Sequence, residues 1–314
     1  MSSRWHGIYP STVLPMRADE SVDWDAYAAH TAACGLYPGI AGVLCNGHAG
    51  ENFVLTAEEK RRAVTETVAV CKRERIVVAG VNQESTLAAA READEAMEAG
   101  ADAIMVFAPN GFAGSTDPGL AERHHRAIAA AIPGAPLFLF QGSHSGRMAY
   151  SLAVLERLLE LPAVVGIKEG GWEVNGYDAL LRLTRARRPD VAVMASGDEH
   201  LLACMAHGSD GSMVSLADIV PGEILALDAA MRRSDLAAAR AVHGRIEPLA
   251  EAIYGRAPGG RATARIKWCL AALGRIPCAT ARLPVGVVDD GEALALRGAL
   301  GVAGLALLPV VGSG

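Results

Sequence analysis

The sequence predicts an α/β fold of the (β/α)8 TIM-barrel type with a C-terminal helical extension. Short apolar runs rich in β-branched residues alternate with alanine-rich helical segments, at intervals of roughly thirty residues. Each run is apolar on both faces, as suits parallel strands covered by helices on either side. Eight such runs fall within about 225 residues, the count and size of one barrel. A chain of 314 residues is long enough to bury a core of that kind.

The strand candidates are Gly7–Leu14, Gly39–Leu44, Ile76–Ala79, Ala103–Phe107, Leu137–Phe140, Val164–Lys168, Val191–Ala195 and Gly211–Val214. Among the helices, Ala57–Arg73 opens behind Thr56 with Glu59 three residues on, a capping-box pattern. Leu87–Ala99 stops at Gly100. Pro118–Ala131, Ser151–Leu159, Tyr177–Arg187 and Glu199–Ala206 complete the alternation. After Pro221 it ceases: Glu223–Met231, Leu236–Tyr254 and Ala262–Leu273 read as helices, and the remainder to Gly314 as a less regular apolar tail. A catalytic barrel over 1–225 is therefore expected, with a helical domain over 226–314 packed on it, because no low-complexity linker separates them. An open doubly wound sheet usually needs fewer strands, and no G-x-G-x-x-G turn follows the first strand to hold a dinucleotide.

Composition excludes several partners. Charged residues are 20% of the chain, the formal net charge is −6, and no basic stripe stands out, so nucleic-acid binding has no electrostatic support. The N-terminus lacks the apolar stretch of a secretory signal. The longest uncharged stretch, Gly298–Gly314, is interrupted by Pro309 and five glycines and is too short for a membrane helix. Six cysteines without a CxxC pair read as reduced thiols of a cytoplasmic protein. No metal set is expected: His124 and His125 lie within a helix, His200 and His207 flank one, and neither HExxH nor CxxC occurs.

The basic residues are 25 arginines and only four lysines, Lys60, Lys72, Lys168 and Lys267. Arginine fills most structural roles of a surface cation but cannot serve as an amine nucleophile. In a barrel the active site lies at the C-terminal ends of the strands. Those ends carry Asn46-Gly47-His48-Ala49-Gly50-Glu51-Asn52, Ala108-Pro109-Asn110-Gly111, Phe140-Gln141-Gly142-Ser143-His144-Ser145-Gly146-Arg147, Lys168-Glu169-Gly170-Gly171 and Ser196-Gly197-Asp198-Glu199. Lys168 closes an apolar strand, where desolvation lowers an amine's pKa and frees the neutral form that attacks a ketone. The competing reading is an ion pair with Glu169 or with a carboxylate across the barrel. Gly47-His48-Ala49-Gly50 suits either a tight turn whose N–H groups bind a carboxylate or an ordinary βα turn. His48 and His144 are either proton carriers near neutral pH or solvated loop residues.

Together these residues resemble the dihydrodipicolinate synthase and N-acetylneuraminate lyase superfamily of Schiff-base aldolases, over about residues 7–275. The likeness rests on Val13-Leu-Pro-Met16, Gly42-Val-Leu-Cys-Asn-Gly-His-Ala-Gly-Glu51, Ala101-Asp-Ala-Ile104 before Pro109, Gly166-Ile-Lys-Glu169, Ser196-Gly-Asp198, Gly208-Ser-Asp-Gly211 and Ile266-Lys-Trp-Cys-Leu-Ala-Ala-Leu-Gly274. The resemblance implies a homotetramer without metal or organic cofactor. It makes Lys168 the imine-forming lysine and the turn Gly47–Glu51 the loop that holds a 2-oxo acid carboxylate. In that loop the family usually has two hydroxyl residues where His48 and Ala49 stand. Met213 falls at a strand position whose backbone lines the pocket. Phe140, 28 residues before Lys168, occupies the place of the family's proton-relay tyrosine. Asn110 and Gly111 stand where tyrosines often follow the strand-four proline. The expected arginine beyond Phe140 is replaced by Ser145, with Arg147 two residues later.

The expected function is a Schiff-base-forming lyase, an aldolase or dehydratase, acting on a pyruvate-related 2-oxo acid. His48 or His144 is expected to take over the proton transfer that Phe140 lacks. The alternatives are condensation with pyruvate, as in dihydrodipicolinate synthase, and a non-catalytic barrel that binds a 2-oxo acid. Fold alone does not choose among them.

Overall fold

The computed structural model describes residues 4–71, 74–112, 117–142, 149–171, 173–256 and 259–308. Eight parallel strands form the barrel: β1 (Gly7–Pro10), β2 (Gly42–Cys45), β3 (Ile76–Val81), β4 (Ala103–Val106), β5 (Leu137–Gln141), β6 (Val164–Glu169), β7 (Ala192–Ala195) and β8 (Gly211–Val214). Pairing runs in order from β2 to β8, and β8 pairs with β1. The last gap is closed by the parallel bridge Ser11–Leu44, with Ala41 N–H donating to Ile8 O at 3.0 Å. All eight strands lie where the sequence places them. β1 ends at Pro10 rather than Leu14 because the chain then changes partners. Ser11 N–H donates to Val214 O, while Thr12 N–H donates to Leu44 O on the opposite neighbour.

The helices following the strands are α1 (Trp24–Gly35), α2 (Ala57–Cys71), α3 (Thr86–Glu98), α4 (Pro118–Ala131), α5 (Leu152–Leu158), α6 (Val174–Arg187), α7 (Leu201–Ala206) and α8 (Pro221–Arg232). The capping box of α2 forms as read, with Glu59 N–H donating to Thr56 Oγ1 at 3.2 Å and Thr56 N–H to Glu59 Oε2 at 2.8 Å. Helix α1 has no counterpart in the sequence reading. Its alanines surround the axis instead of forming a stripe, and its start rests on Asp23 accepting from Ala26 N–H at 3.1 Å. Alternation along the strands separates two cores. Val43, Val77, Ile104 and Val106 pack outward against α2 to α4, whereas Leu44, Val78 and Met105 join Tyr9, Phe138 and Met213 within the barrel.

The extension holds α9 (Leu236–Tyr254), α10 (Ala262–Ala272) and α11 (Asp290–Val302). The division drawn at residue 225 falls inside α8. Helix α11 corrects the expectation of an irregular tail: Asp289 and Glu292 form a full capping box, and the Glu292 carboxylate also accepts from Arg265 Nε of α10 at 2.8 Å. None of the described helices is long and apolar enough to cross a membrane.

The extension is tied to the barrel by one buried ion pair. Lys267 of α10 and Glu51 of the turn after β2 are 0% and 3% exposed and in direct contact, and Arg282 N–H donates to the same carboxylate at 2.8 Å. A buried pair contributes little net stability, but removing one partner strands the other charge in an apolar setting. Lys267→Met is therefore expected to lower unfolding stability by about 3–5 kcal/mol in chemical denaturation. Pairing it with Glu51→Gln should recover most of that loss, and a double variant no more stable than the single one would count against the account.

Candidate active site

Lys168 sits one residue from the end of β6, flanked in register by Phe140 of β5 and Met194 of β7. It is only 6% exposed. Successive residues of a strand face opposite sides. Glu169 accordingly turns away, accepts from Gly171 N–H at 3.0 Å, and does not pair with Lys168. No ion pair or hydrogen bond involves the Lys168 amine among the described residues. Burial pushes its pKa down to about 8, and the charge of Asp198 partly opposes that shift. About one amine in ten is then neutral at pH 7, far more than for an ordinary lysine, and the neutral form is the nucleophile.

Asp198 lies in the short turn Asp198–His200 after β7. Burial raises its carboxyl to about 7, against the pull of Leu216 N–H, which donates to it at 2.8 Å, and of the Lys168 charge. The hydroxyl of Tyr254, the last residue of α9, hydrogen-bonds to Ser215 Oγ and lies close enough to Asp198 for each to shift the other's pKa. Sequence reading placed Asp198 at a strand end without giving it a role. It had no route to Tyr254, which lies 86 residues beyond Lys168 in the helical extension.

The turn after β2 is held tightly. Asn46 and Glu51 adopt φ values of 52° and 58°, in the left-handed region. Gly80 of β3 makes room for it, since a Cβ there would stand 2.1 Å from Asn46 O. At Gly47 a Cβ would meet Ser11 Oγ at 2.8 Å. Glu51 N–H closes the turn onto His48 O at 2.9 Å, and Lys267 anchors Glu51. Among the described residues the N–H groups of His48, Ala49 and Gly50 have no protein acceptor. Met213 lies on β8, fully buried and in register with Tyr9.

His48 does not occupy the solvated loop position considered for it. Its ring stacks on Phe107 at 4.6 Å between centroids and lies 4.9 Å from Phe140 and 4.7 Å from Phe53. Burial in this aromatic cluster, with the Lys168 charge, pushes its pKa down to about 3. In this setting the charged form of His48 is disfavoured, and its ring packs as part of an aromatic wall with Phe107 and Phe140. Phe140 forms the adjoining wall, its ring centroid 5.8 Å from Lys168 Nζ. His144 lies outside the described residues. The ring-proton NMR shift of His48 is expected to stay constant from about pH 5 to about pH 9, and a midpoint near the ordinary value of about 6.5 would contradict this environment.

Residues 4–302 match the sequence model of the Dihydrodipicolinate synthetase family. The 4-hydroxy-tetrahydrodipicolinate synthase of Acidiphilium cryptum (strain JF-5) is 31% identical over 310 residues, covering 97% of this chain and 99% of the relative. An uncharacterized DapA-like lyase of Halobacterium salinarum is 29% identical over 304 residues, 96% of this chain and 94% of its own length. Among solved structures, dihydrodipicolinate synthase from Thermotoga maritima superposes with a TM-score of 0.87 at 22% identity, covering 96% of this chain and all of that one. The chloride-inhibited dihydrodipicolinate synthase from Acinetobacter baumannii, complexed with pyruvate, gives 0.84 at 26% identity, with 98% and 100% covered.

Proposed function

Since the chain belongs to the dihydrodipicolinate synthetase family, we propose that it is an imine-forming lyase, an aldolase or dehydratase, acting on a 2-oxo acid through Lys168. The observation that carries this reading is the buried Lys168 amine, which has no ion-pair partner among the described residues and whose pKa burial lowers to about 8. In this mechanism neutral Nζ attacks C2 of the substrate, the carbonyl oxygen leaves as water, and a protonated C2=N bond remains. That iminium accepts the electron pair of the C3–C4 bond when a 4-hydroxyl gives up its proton, releasing an aldehyde. In a dehydration it instead stabilises the carbanion at C3 before hydroxide leaves C4.

The three N–H groups of His48, Ala49 and Gly50 suit the substrate carboxylate, as consecutive backbone donors in a turn bind anions. Phe140 and neutral His48 supply no acid. Asp198, with its carboxyl raised to about 7, is the group whose charge acts on Lys168, and it can exchange a proton near neutral pH. Asp198 is thus assigned the proton transfers, with Tyr254 and Ser215 orienting it. The alternative of condensation with pyruvate is favoured by the names of the synthase relatives. Phe140 weighs against it, because the family's relay hydroxyl is missing there.

Incubation with pyruvate and borohydride, followed by intact mass measurement, is expected to give one irreversible adduct, absent in Lys168→Arg. The trapping rate should climb with pH as the ammonium loses its proton and level off above about 8. No adduct with pyruvate or with a panel of 2-oxo acids would overturn the lyase reading in favour of a barrel that only binds. Screening 4-hydroxy-2-oxo acids then separates cleavage from dehydration. Asp198→Asn is expected to keep the adduct while losing turnover by about a hundredfold or more.

A further inference from the structure

A second cluster of reactive side chains lies outside the barrel lumen, where α1 packs against the turn Ser215–Asp218 that follows β8. His30 and Cys34 are four residues apart on α1 and so share one face of the helix. Asp218 meets them from the turn. One ligand-type atom from each lies within 4.8 Å of the other two. His30 Nε2 stands 3.4 Å from Asp218 Oδ2.

All three side chains are almost completely buried, yet His30 Nε2 and Asp218 Oδ1 have no hydrogen-bond partner among the described residues. Asp218 Oδ2 accepts from Val13 N–H at 3.0 Å and faces His30 Nε2 at 3.4 Å, and the Cys34 thiol reaches Thr31 O at a long 3.8 Å. Unsatisfied polar atoms at such depth are costly, and a native fold seldom keeps them without a use. The cluster opens onto a cleft of about 530 Å³, also lined by Tyr37, Glu223 and Arg275.

We propose that His30, Cys34 and Asp218 bind a divalent transition-metal ion of the zinc class. The residue types are right: imidazole, thiolate and carboxylate are all ligands of zinc, and three of them leave a fourth position open. The spacing is right as well. Ligand atoms at about 2.0–2.3 Å from a tetrahedral ion stand roughly 3.3–3.8 Å from one another, which the His30–Asp218 distance already meets. The charge balances too, since one thiolate and one carboxylate neutralise a divalent ion and let the set remain buried. Without an ion, burial and the neighbouring Asp218 charge hold the Cys34 thiol in its protonated form. On binding, the thiol proton leaves to solvent as the ion takes its place. The adjoining cleft has room for a water to complete the shell.

Such an ion would clamp α1 to the turn that also carries Leu216, whose N–H donates to Asp198. It is nonetheless independent of the chemistry assigned to Lys168. Sequence spacing alone could not reveal it, because 184 residues separate Cys34 from Asp218.

The test is titration of the full, tag-free, chelator-stripped chain with Co²⁺, followed by displacement with Zn²⁺. One ion per chain is expected, with thiolate-to-cobalt charge-transfer absorption in the near ultraviolet. Cys34→Ser should abolish that absorption and weaken binding by about 10–100-fold, with His30→Gln as a second variant. Zn²⁺ should raise the melting temperature of the parent chain and raise that of Cys34→Ser by clearly less at the same concentration. Circular dichroism shows whether each variant is folded. Absence of stoichiometric binding by the folded parent chain overturns the proposal. So does a charge-transfer band that survives in folded Cys34→Ser.

Discussion

The chemistry assigned to this barrel depends on the desolvation of one amine. Lys168 is held between Phe140 and Met194 in an apolar layer of the barrel, and among the described residues no carboxylate pairs with it. An ammonium in that setting gives up its proton more readily than in water. The strand geometry enforces the arrangement: Glu169, the nearest carboxylate in sequence, necessarily faces the other side of β6. Asp198 acts on Lys168 from the next strand end and restrains the shift without forming an ion pair.

Around that amine the extension contacts the elements that surround it. Lys267 grips Glu51 and thereby sets the backbone of the turn that presents Gly47, His48, Ala49 and Gly50. Tyr254 reaches Asp198 from the end of α9. In the proposed mechanism the extension thus supports both the turn and Asp198. The pocket's aromatic wall has the opposite character. His48, Phe107 and Phe140 pack closely and form an apolar surface beside Lys168.

Much of this was determined by the sequence alone. The eight strands, the helices α2 to α10, the exposure of their ends at one rim and the burial of Lys168 follow from local patterns: apolar runs, caps and the rarity of lysine. Periodicity reports which face of an element is covered, and that is enough to place a lysine in a core. It missed α1, where alanines hide the stripe, and α11, whose start depends on Asp289 and Glu292 capping each other.

Only the tertiary structure decided what surrounds each side chain. A histidine has the same sequence signature on a wet loop and in an aromatic cluster, yet burial moves His48 from a near-neutral titration to about 3. Asp198 with Tyr254, Glu51 with Lys267, and His30 with Cys34 and Asp218 each join elements distant in the chain. Desolvation and charge depend on every atom within a few ångströms, whatever its place in the sequence, so these sites become visible only once the barrel has closed.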